Sequence, residues 1–451
     1  MTTQRREAAP QRAVAGDGRA TRIVLLGAGS MEFSRTLLAD LLTSPVLRDS
    51  HLVLHDIDPD RLATAAALAA ATAEATGAHP TISAVDDRRK ALAGADFVVN
   101  QIAVGGFDAL RLDFEIPRKY GVRQTIGDSL GLGGIFRGLR TIPVVRALGE
   151  EMAELCPDAW LLNYTNPMTV VPWAVYAGSP FERVVGLCYS IRDTQLNLAG
   201  LVGIPEDEIT FLTAGVNHQA WVLRFEKDGV DLYPRLRQVI EDRPEIGNLV
   251  RIELFRHLGY FPTESSDHGS EYVPWFLPHE AMVQRHGIDV DLYLRQSRES
   301  LQEYDDLRRR LAGGEPVDVD PVEETAAVAM AAIVSGVPAT VPGSVPNRGL
   351  IDNLPAEACV EVPCLVDGDG FHPRPVGALP PQLAALNRQF LNVSELTVLA
   401  GLEGSREHVY HAAMLDPNTA ATLTLDAIVA ACDELIEAHA AWLPPGITRR
   451  R

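Results

Sequence analysis

Short apolar runs alternate with longer stretches of helical period through the first half of the chain. "TRIVLLGAG", starting at Thr21, is continuously apolar and ends in a glycine turn, which predicts a strand buried on both faces. "FSRTLLADLLTS" then carries apolar residues at helical spacing. "HLVLHDID" predicts a second strand. "PDRLATAAALAAATAEATG" predicts a helix with Pro59 in its first turn and Gly77 at its end. "TISAVDD", "ADFVVNQIAVGG", "AWLLNYTNP" and "RVVGLCYS" predict strands three to six, with helical segments between. Six such strands separated by helices predict an α/β fold, with a Rossmann-like, doubly wound parallel sheet over residues 21–205.

Beyond residue 205 the alternation weakens. "ITFLTAGVNHQAWVLRFEKDGVDLYP" predicts strands broken by a turn at "KDG". Residues 280–313 predict a charged helical stretch and 322–335 an Ala-rich helix. The Pro- and Gly-punctuated run "VPATVPGSVPNRGLIDNLPAEACVEVPCLVDGDGFHP" predicts strands of a mixed sheet, and residues 381–440 two or three closing helices. Residues 206–451 are therefore expected to form a mixed α+β domain, packed closely on the first half, for substrate, metal and subunit contacts. Residues 1–20 show no such pattern and are expected to be a disordered tail.

Composition narrows the function classes. With 46% hydrophobic and 22% charged residues the chain has the make-up of an ordinary soluble protein. Its net charge of −20 repels phosphate backbones, so no nucleic-acid partner is expected. Five cysteines, an odd number without dense spacing, point to reduced thiols and a cytoplasmic location. The first twenty residues lack an apolar core, which argues against a secretory signal and, despite Arg5 and Arg6, against twin-arginine export. No apolar run reaches the roughly 20 residues that span a bilayer, so no membrane partner is expected.

Candidate chemistry gathers at predicted strand ends, where doubly wound sheets bind ligands. Gly27 and Gly29 suit a tight turn and a close backbone approach to a pyrophosphate, with Ser30 opening the helix that follows. Glu32 stands where a third glycine is usual, and a lone G-x-G also fits a simple strand–helix turn. Asp56, 27 residues after Gly29, ends the second strand and suits the adenosine-ribose hydroxyls, favouring NAD over NADP. Asp58 is better placed to cap the next helix. Asn100 ends the fourth strand. Asp128 lies in "QTIGDSLGLGGIFRGLR", Asn166 in "NYTNPMTV", Cys188 in "GLCYS", and Asn217 and His218 in "AGVNHQAW". "GYFPTESSDHGSEYVPW" crowds Glu264, Asp267, His268, Glu271 and Tyr272 into nine residues. Singly, these stretches also fit a capping Asp, a buried thiol, a structural histidine and a polar surface loop. Together Cys188 and His218 could form an S,N metal pair with open positions, for which softness alone points to zinc or iron.

The order and joint occurrence of "IVLLGAGS", "LHDID", "KYGVRQTIGDSLGLGGIFRGLRTIP", "NYTNPM", "GLCYS", "AGVNHQAW" and "TESSDHGSEYVPW" resemble glycoside hydrolase family 4, from about Ile23 to beyond Trp275. This family is an exception to two-carboxylate glycoside hydrolysis. The resemblance implies an NAD- and divalent-metal-dependent glycosidase, with Mn2+ as the first choice of metal, working by redox-assisted elimination. Hydride would leave C3 of the sugar for NAD+, the C2 proton would become acidic, the aglycone would leave C1, and water and hydride would return. It implies Cys188 and His218 as metal ligands, and Asn166, Tyr189 and Asn217 on the substrate side. It implies Asp128 as an acid or base and Tyr272 as the C2 base, with Asp267 its rival. Gly27, Gly29, Ser30, Asp56 and Asn100 would hold NAD. A phenol titrates near 10, so Tyr272 needs a nearby cation to serve as a base.

Family habit also implies a homodimer or homotetramer. The α-galactosidases of the family read Cys-His-Ser where this chain reads Cys188-Tyr189-Ser190, and phosphosugar-cleaving members carry Asn or Asp after the Cys. The remaining context implies an unphosphorylated hexoside, first an α-galactoside, then an α-glucuronide or α-galacturonide. From other classes, an NAD-dependent 2-hydroxyacid dehydrogenase needing no metal and a non-catalytic NAD-binding protein stay open.

Overall fold

Six parallel strands, all but the edge strand Thr81–Ala84 largely buried, set the frame. The computed structural model describes residues 19–449. In it β1 (Arg22–Leu26), β2 (His51–His55), β3 (Thr81–Ala84), β4 (Phe97–Asn100), β5 (Trp160–Asn163) and β6 (Val184–Gly186) pair in the order 3-2-1-4-5-6. These are the six strands the apolar runs predict. Ile23, Val24 and Leu25 are wholly inaccessible, as expected of a parallel strand covered by helices on both sides. Of the tail expected over residues 1–20, residues 1–18 lie outside the described residues. Arg19, in contrast, is held in place, its guanidinium forked onto Asp96 at 2.6 and 2.8 Å.

Strand order reverses between β1 and β4, which opens a crevice at their carboxyl ends. The chain leaves β1 through Gly27 at φ +78°, and its N–H donates to the His55 carbonyl at 2.9 Å. A Cβ on Gly27 would stand 3.0 Å from the Gln101 carbonyl oxygen after β4, and one on Gly29 only 2.5 Å from Cβ of Arg61. Glycine is needed at the first position for its backbone angle and at the second for the close approach.

The sheet does not stop at β6. The later strands are β7 (Thr210–Val216), β8 (Gln219–Lys227), β9 (Val230–Asp231), β10 (Phe261–Pro262), β11 (Ala339–Pro346), β12 (Cys359–Asp367) and β13 (Gly370–Pro373). β11 runs antiparallel beside β6, joined at Ser344 and Gly186, and β12, β7, β8 and β10 follow outward. The second half thus extends the first half's sheet. The turn predicted at "KDG" joins β8 to β9, with Asp228 and Gly229 both at positive φ. A second two-residue turn, at Asn217–His218, separates β7 from β8, with Val216 paired to Gln219.

Three predicted helical stretches are subdivided or trimmed. Residues 280–313 form two helices, Glu280–His286 and Leu292–Ala312, because Gly287 caps the first in the left-handed region. The Ala-rich helix starts at Thr325, since the buried Asp40 carboxylate takes the N–H groups of residues 322–324 at 2.6–3.2 Å and Glu323 lies at φ +59°, outside the helical region. Residues 381–440 form four helices, Pro381–Glu403, Arg406–Leu415, Pro417–Thr422 and Leu425–Ala438. Among the described residues no helix is long and apolar enough to cross a membrane.

The helix Gly131–Leu155 ties the cores together. Its carboxyl-terminal part, with Ile142, Val145, Leu148 and Met152, joins the core around the parallel sheet. Its first turns, with Leu132, Ile135, Phe136 and Leu139, enter a second core made with the closing helices. The buried Asp416 accepts from Gly131 N at 3.0 Å and from Thr419 N at 2.7 Å, so one carboxylate serves two helix starts. The loop just before this helix is thereby fixed over the sheet.

Gly77 also lies at positive φ, but a Cβ there meets nothing within 4 Å. Gly77→Ala should cost about 1–2 kcal/mol, the left-handed penalty alone. Gly27→Ala should cost more, because backbone blocks its Cβ. Urea unfolding of both variants measures this, and equal losses would show that the loop after β4 gives way.

Candidate functional site

The crevice between β1 and β4 is built for a nucleotide. Asp56 leaves β2 and its Oδ2 accepts from Gly29 N at 2.9 Å, while Oδ1 accepts from Asp58 N. Asp58 caps the helix Pro59–Thr76, accepting from Asp60 N and Arg61 N, so Asp56 is not the cap. Ser30 stands at the N-cap of Met31–Thr43 with no side-chain cap bond, its N–H returning to Gly27. Asn100 Nδ2 donates to Asn163 Oδ1 at 2.8 Å, and its Oδ1 is buried without a partner among the described residues. The neighbouring Gln101 repeats this pattern. Ser34 Oγ–H donates to Ala28 O, so it must accept from Gln101 Nε2, leaving Gln101 Oε1 buried and unpartnered. Two orphan acceptors at the end of the switch-point strand suit donors of a bound ligand.

Asp128 sits at the start of the Gly-rich segment. Its Oδ2 accepts from Asn166 Nδ2 at 2.8 Å, which fixes the amide so that Asn166 Oδ1 is a third buried orphan. Its Oδ1 accepts from Ser129 Oγ at 2.7 Å. Burial alone would raise the Asp128 pKa. Arg137, His268, His218 and Ser129 outweigh it and hold the group below the usual carboxylate range. Asp128 is therefore an ionised acceptor in the resting protein.

The turn between β7 and β8 presents His218 at φ +64°, a strained angle for a branched-ring residue. Its Nε2 lies 3.3 Å from Cys188 Sγ, two residues beyond β6, and 3.7 Å from Glu264 Oε2. Its Nδ1 faces Ser129 Oγ at 3.1 Å and His268 Nε2 at 2.9 Å. Burial pushes His218 down, but Cys188 and Glu264 reverse this and raise it to about 10. Thiol, imidazole and carboxylate converging from three segments are the donor set of a transition-metal site. Asp128, His218 and His268 also offer three ligand atoms within 4.8 Å of one another.

The crowded polar stretch Glu264–Tyr272 supplies the far wall. Tyr272 is buried, its hydroxyl 3.3 Å from His268 Nε2, and burial together with Asp128 pushes its phenol well above 10. Asp267, in contrast, is not brought to this cluster, because its Oδ1 accepts from Asp289 N at 2.7 Å. Asn217 also turns away, donating from Nδ2 to the buried Glu361 on β12 at 3.1 Å. Tyr189 caps the helix Ser190–Val202 beside Cys188 and stays partly exposed, its phenol raised by burial. A cavity of about 550 Å³ opens at the opposite, amino-terminal ends of β1, β4 and β5, lined by Thr21, Asp96 and Trp160, and takes no part in this arrangement.

The family models for "Family 4 glycosyl hydrolase" and its C-terminal domain match residues 22–204 and 213–419. An α-galactosidase of Bacillus subtilis (strain 168) is 39% identical, the match covering 94% of this chain and 99% of the relative. The chain belongs to glycosyl hydrolase family 4. An α-galactosidase of Rhizobium meliloti (strain 1021) is 32% identical over 94% of this chain and 89% of its own. The solved structure of a 6-phospho-α-glucosidase from gut microorganisms, in complex with NAD and Mn2+, shares the fold with a TM-score of 0.80. That match is 20% identical and covers 94% of this chain and 99% of that one.

Gln101, Glu264, His268 and Glu271 of this family 4 glycosidase, which the structure brings to the centre, escaped the sequence as site residues. Gln101 follows an all-apolar strand, and that polar break was its only signal. His268 and Glu271 were visible only as members of a crowded polar loop. Their spacing of three residues suits one helical turn, where His268 Nδ1 meets Glu271 Oε2 at 2.7 Å.

Glu361 gives a pH test of the site's packing. Burial raises its pKa to about 7, against the opposing effects of Asn217 and His218. A carboxyl neutral in the folded chain, but ionising near ~4.3 when unfolded, adds stability at low pH and loses it as pH rises through about 7. Glu361→Gln has no such proton. The stability of wild type relative to Glu361→Gln should therefore fall between about pH 4 and 7 and level off above, read from urea midpoints. A difference constant with pH would show that Glu361 is ionised throughout.

Proposed function

We propose that this family 4 enzyme cleaves an unphosphorylated α-hexoside, an α-galactoside in the first place, by transient oxidation at C3 and elimination across C2 and C1. The observation that carries this reading is the convergence of Cys188 and His218 Nε2 at 3.3 Å beside the Asp128–Asn166 pair. The α-galactosidase relatives, similar along nearly their whole length, favour that sugar.

Gly27, Gly29 and Ser30 would take the pyrophosphate of NAD, Asp56 its adenosine ribose, and Asn100 with Gln101 its donors deeper in the crevice. The glycine cradle and the two orphan acceptors fit that ligand. Cys188 and His218 would hold a divalent metal, with Mn2+ the first choice, and Glu264 stands ready as a further oxygen donor. When bound, these groups supply reversible hydride transfer at C3 and polarisation of the sugar's C2 and C3 oxygens.

The chain's own residues handle the protons. Asn166, fixed by Asp128, offers Oδ1 to a sugar hydroxyl. Asp128, ionised and hydrogen-bonded, accepts a proton before it can give one to the departing oxygen. Tyr272 takes the C2 proton as phenolate, a form disfavoured by its burial and favoured by a cation held at Cys188 and His218. Asp267 stays out of proton transfer, because it is bound to the Asp289 amide. Tyr189 lines the entrance and tunes the choice of glycoside. Reduced thiols, a cytoplasmic location and a homo-oligomer complete the proposal; the five cysteines are unpaired.

Product formed in deuterated water should carry deuterium at C2. Tyr272→Phe should slow that exchange by about 10²–10⁴, the usual range for a lost general base, while Asp267→Asn should leave it unchanged. Mass spectrometry of the released sugar measures both, and unlabelled C2 in the wild-type product would overturn the elimination. A second measurement concerns the nucleotide. Titration should show NAD+ binding more tightly than NADP+, with Asp56→Asn narrowing the gap. Tighter NADP+ binding by the wild type would overturn the role given to Asp56.

A further inference from the structure

We propose that Glu271 and His268 form a positioning relay that fixes which nitrogen of His218 is presented to Cys188. The proposal deepens the metal-dependent reading above and rests on it. Neither residue needs to touch the sugar or the metal.

The argument runs through donors and acceptors. Glu271 is buried, and both its oxygens face only donors. Oε1 accepts from the amides of Thr125, Ile126 and Gly127 at 2.7, 3.2 and 3.0 Å. Oε2 lies 3.2 Å from Gly127 N and 2.7 Å from His268 Nδ1. A carboxylate in that position requires the hydrogen of His268 on Nδ1, which leaves Nε2 bare. That bare nitrogen is 2.9 Å from His218 Nδ1. The other neighbour of His218 Nδ1 is Ser129 Oγ at 3.1 Å, whose own hydrogen is directed at Asp128. Two acceptors therefore meet His218 Nδ1, and Nδ1 carries a hydrogen. The lone pair available for a ligand bond is on Nε2, which faces Cys188 and Glu264.

Metal-bound histidines commonly donate their second N–H to a carboxylate, which fixes ring orientation and tautomer. Here a second imidazole is interposed between carboxylate and ligand. The same Glu271 grips the loop that leads to Asp128, so ligand tautomer and loop position are set together. On this assignment Asp128, His218 and His268 do not jointly bind the ion, although their ligand atoms lie close enough to do so.

Glu271→Gln separates the two tasks of the carboxylate. The amide oxygen can keep the loop N–H groups. The amide nitrogen then faces His268 Nδ1 and donates to it, which drives the imidazole hydrogen to Nε2. Two measurements test this. Long-range ¹H–¹⁵N spectra of histidine-labelled, metal-free wild type at pH 8 should show His268 protonated at Nδ1 only, and Glu271→Gln should move the proton to Nε2. Calorimetric titration with Mn2+ should show binding weakened about 10–100-fold in Glu271→Gln, with NAD+ affinity kept. His268→Ala should weaken Mn2+ less than His218→Ala does. A wild-type His268 protonated at Nε2 overturns the relay, and that spectrum needs no variant to fold. Wild-type Mn2+ affinity in Glu271→Gln overturns it too, as does complete loss of binding in His268→Ala, which would make His268 a ligand. A wild type that binds no Mn2+ removes the metal reading underneath.

Discussion

Four donors from two distant segments converge on one buried carboxylate. The amides of Thr125, Ile126 and Gly127 and the imidazole of His268 all point at Glu271. Hydrogen bonds to charged groups contribute about 1.5–3 kcal/mol each, and a buried amide left without its acceptor costs about 1–3 kcal/mol. The Gly-rich loop has no regular structure of its own between the helices that end at Lys119 and begin at Gly131. Without Glu271 its amides would need water, and the segment carrying Asp128 would lose its fixed place opposite His218. The geometry of the whole site depends on this junction.

The junction works because both segments rest on one sheet. The crevice of the parallel half opens at the carboxyl ends of β1 and β4, and β5 and β6 end on the same side, delivering Asn166 and Cys188. The antiparallel half continues from β6 through β11 and β12 to β7, whose hairpin turn delivers His218. The helix Gly131–Leu155, shared between two hydrophobic cores, holds the Asp128 loop above them. The crevice and the Cys188–His218 cluster thus belong to one rigid frame, which suits the proposed chemistry, where hydride and proton leave adjacent carbons.

Electrostatics divides the labour inside that frame. Asp128 stays ionised despite burial, Tyr272 is pushed up, and Glu361 is raised to about 7. Groups with such separated proton affinities around one site suit proton transfer. His218 is raised to about 10 by Cys188 and Glu264, and a metal held there, as proposed, would take the place of a proton.

The sequence by itself determined the parallel sheet, since buried strands must be written as apolar runs, legible at β1, β2, β4, β5 and β6, while the exposed edge strand β3 showed by its place in the alternation. It also determined the glycine turn, Asp58 rather than Asp56 as the helix cap, and the family to which the motifs belong. Local pattern did not reveal the Asn217–His218 turn, because a two-residue break in a half-buried hairpin barely interrupts the apolar run. Partner choice was decided only by the tertiary structure. Asp267 and Glu271 are alike in one polar loop, yet the fold turns the first to Asp289 and the second to the Gly-rich loop 144–146 residues away. Asn217 and His218 are adjacent in sequence, but at a hairpin tip one side chain turns under to Glu361 and the other turns out to Cys188. Such choices depend on which donors and acceptors packing brings within about 3 Å, and no short window of sequence contains both members of the pair.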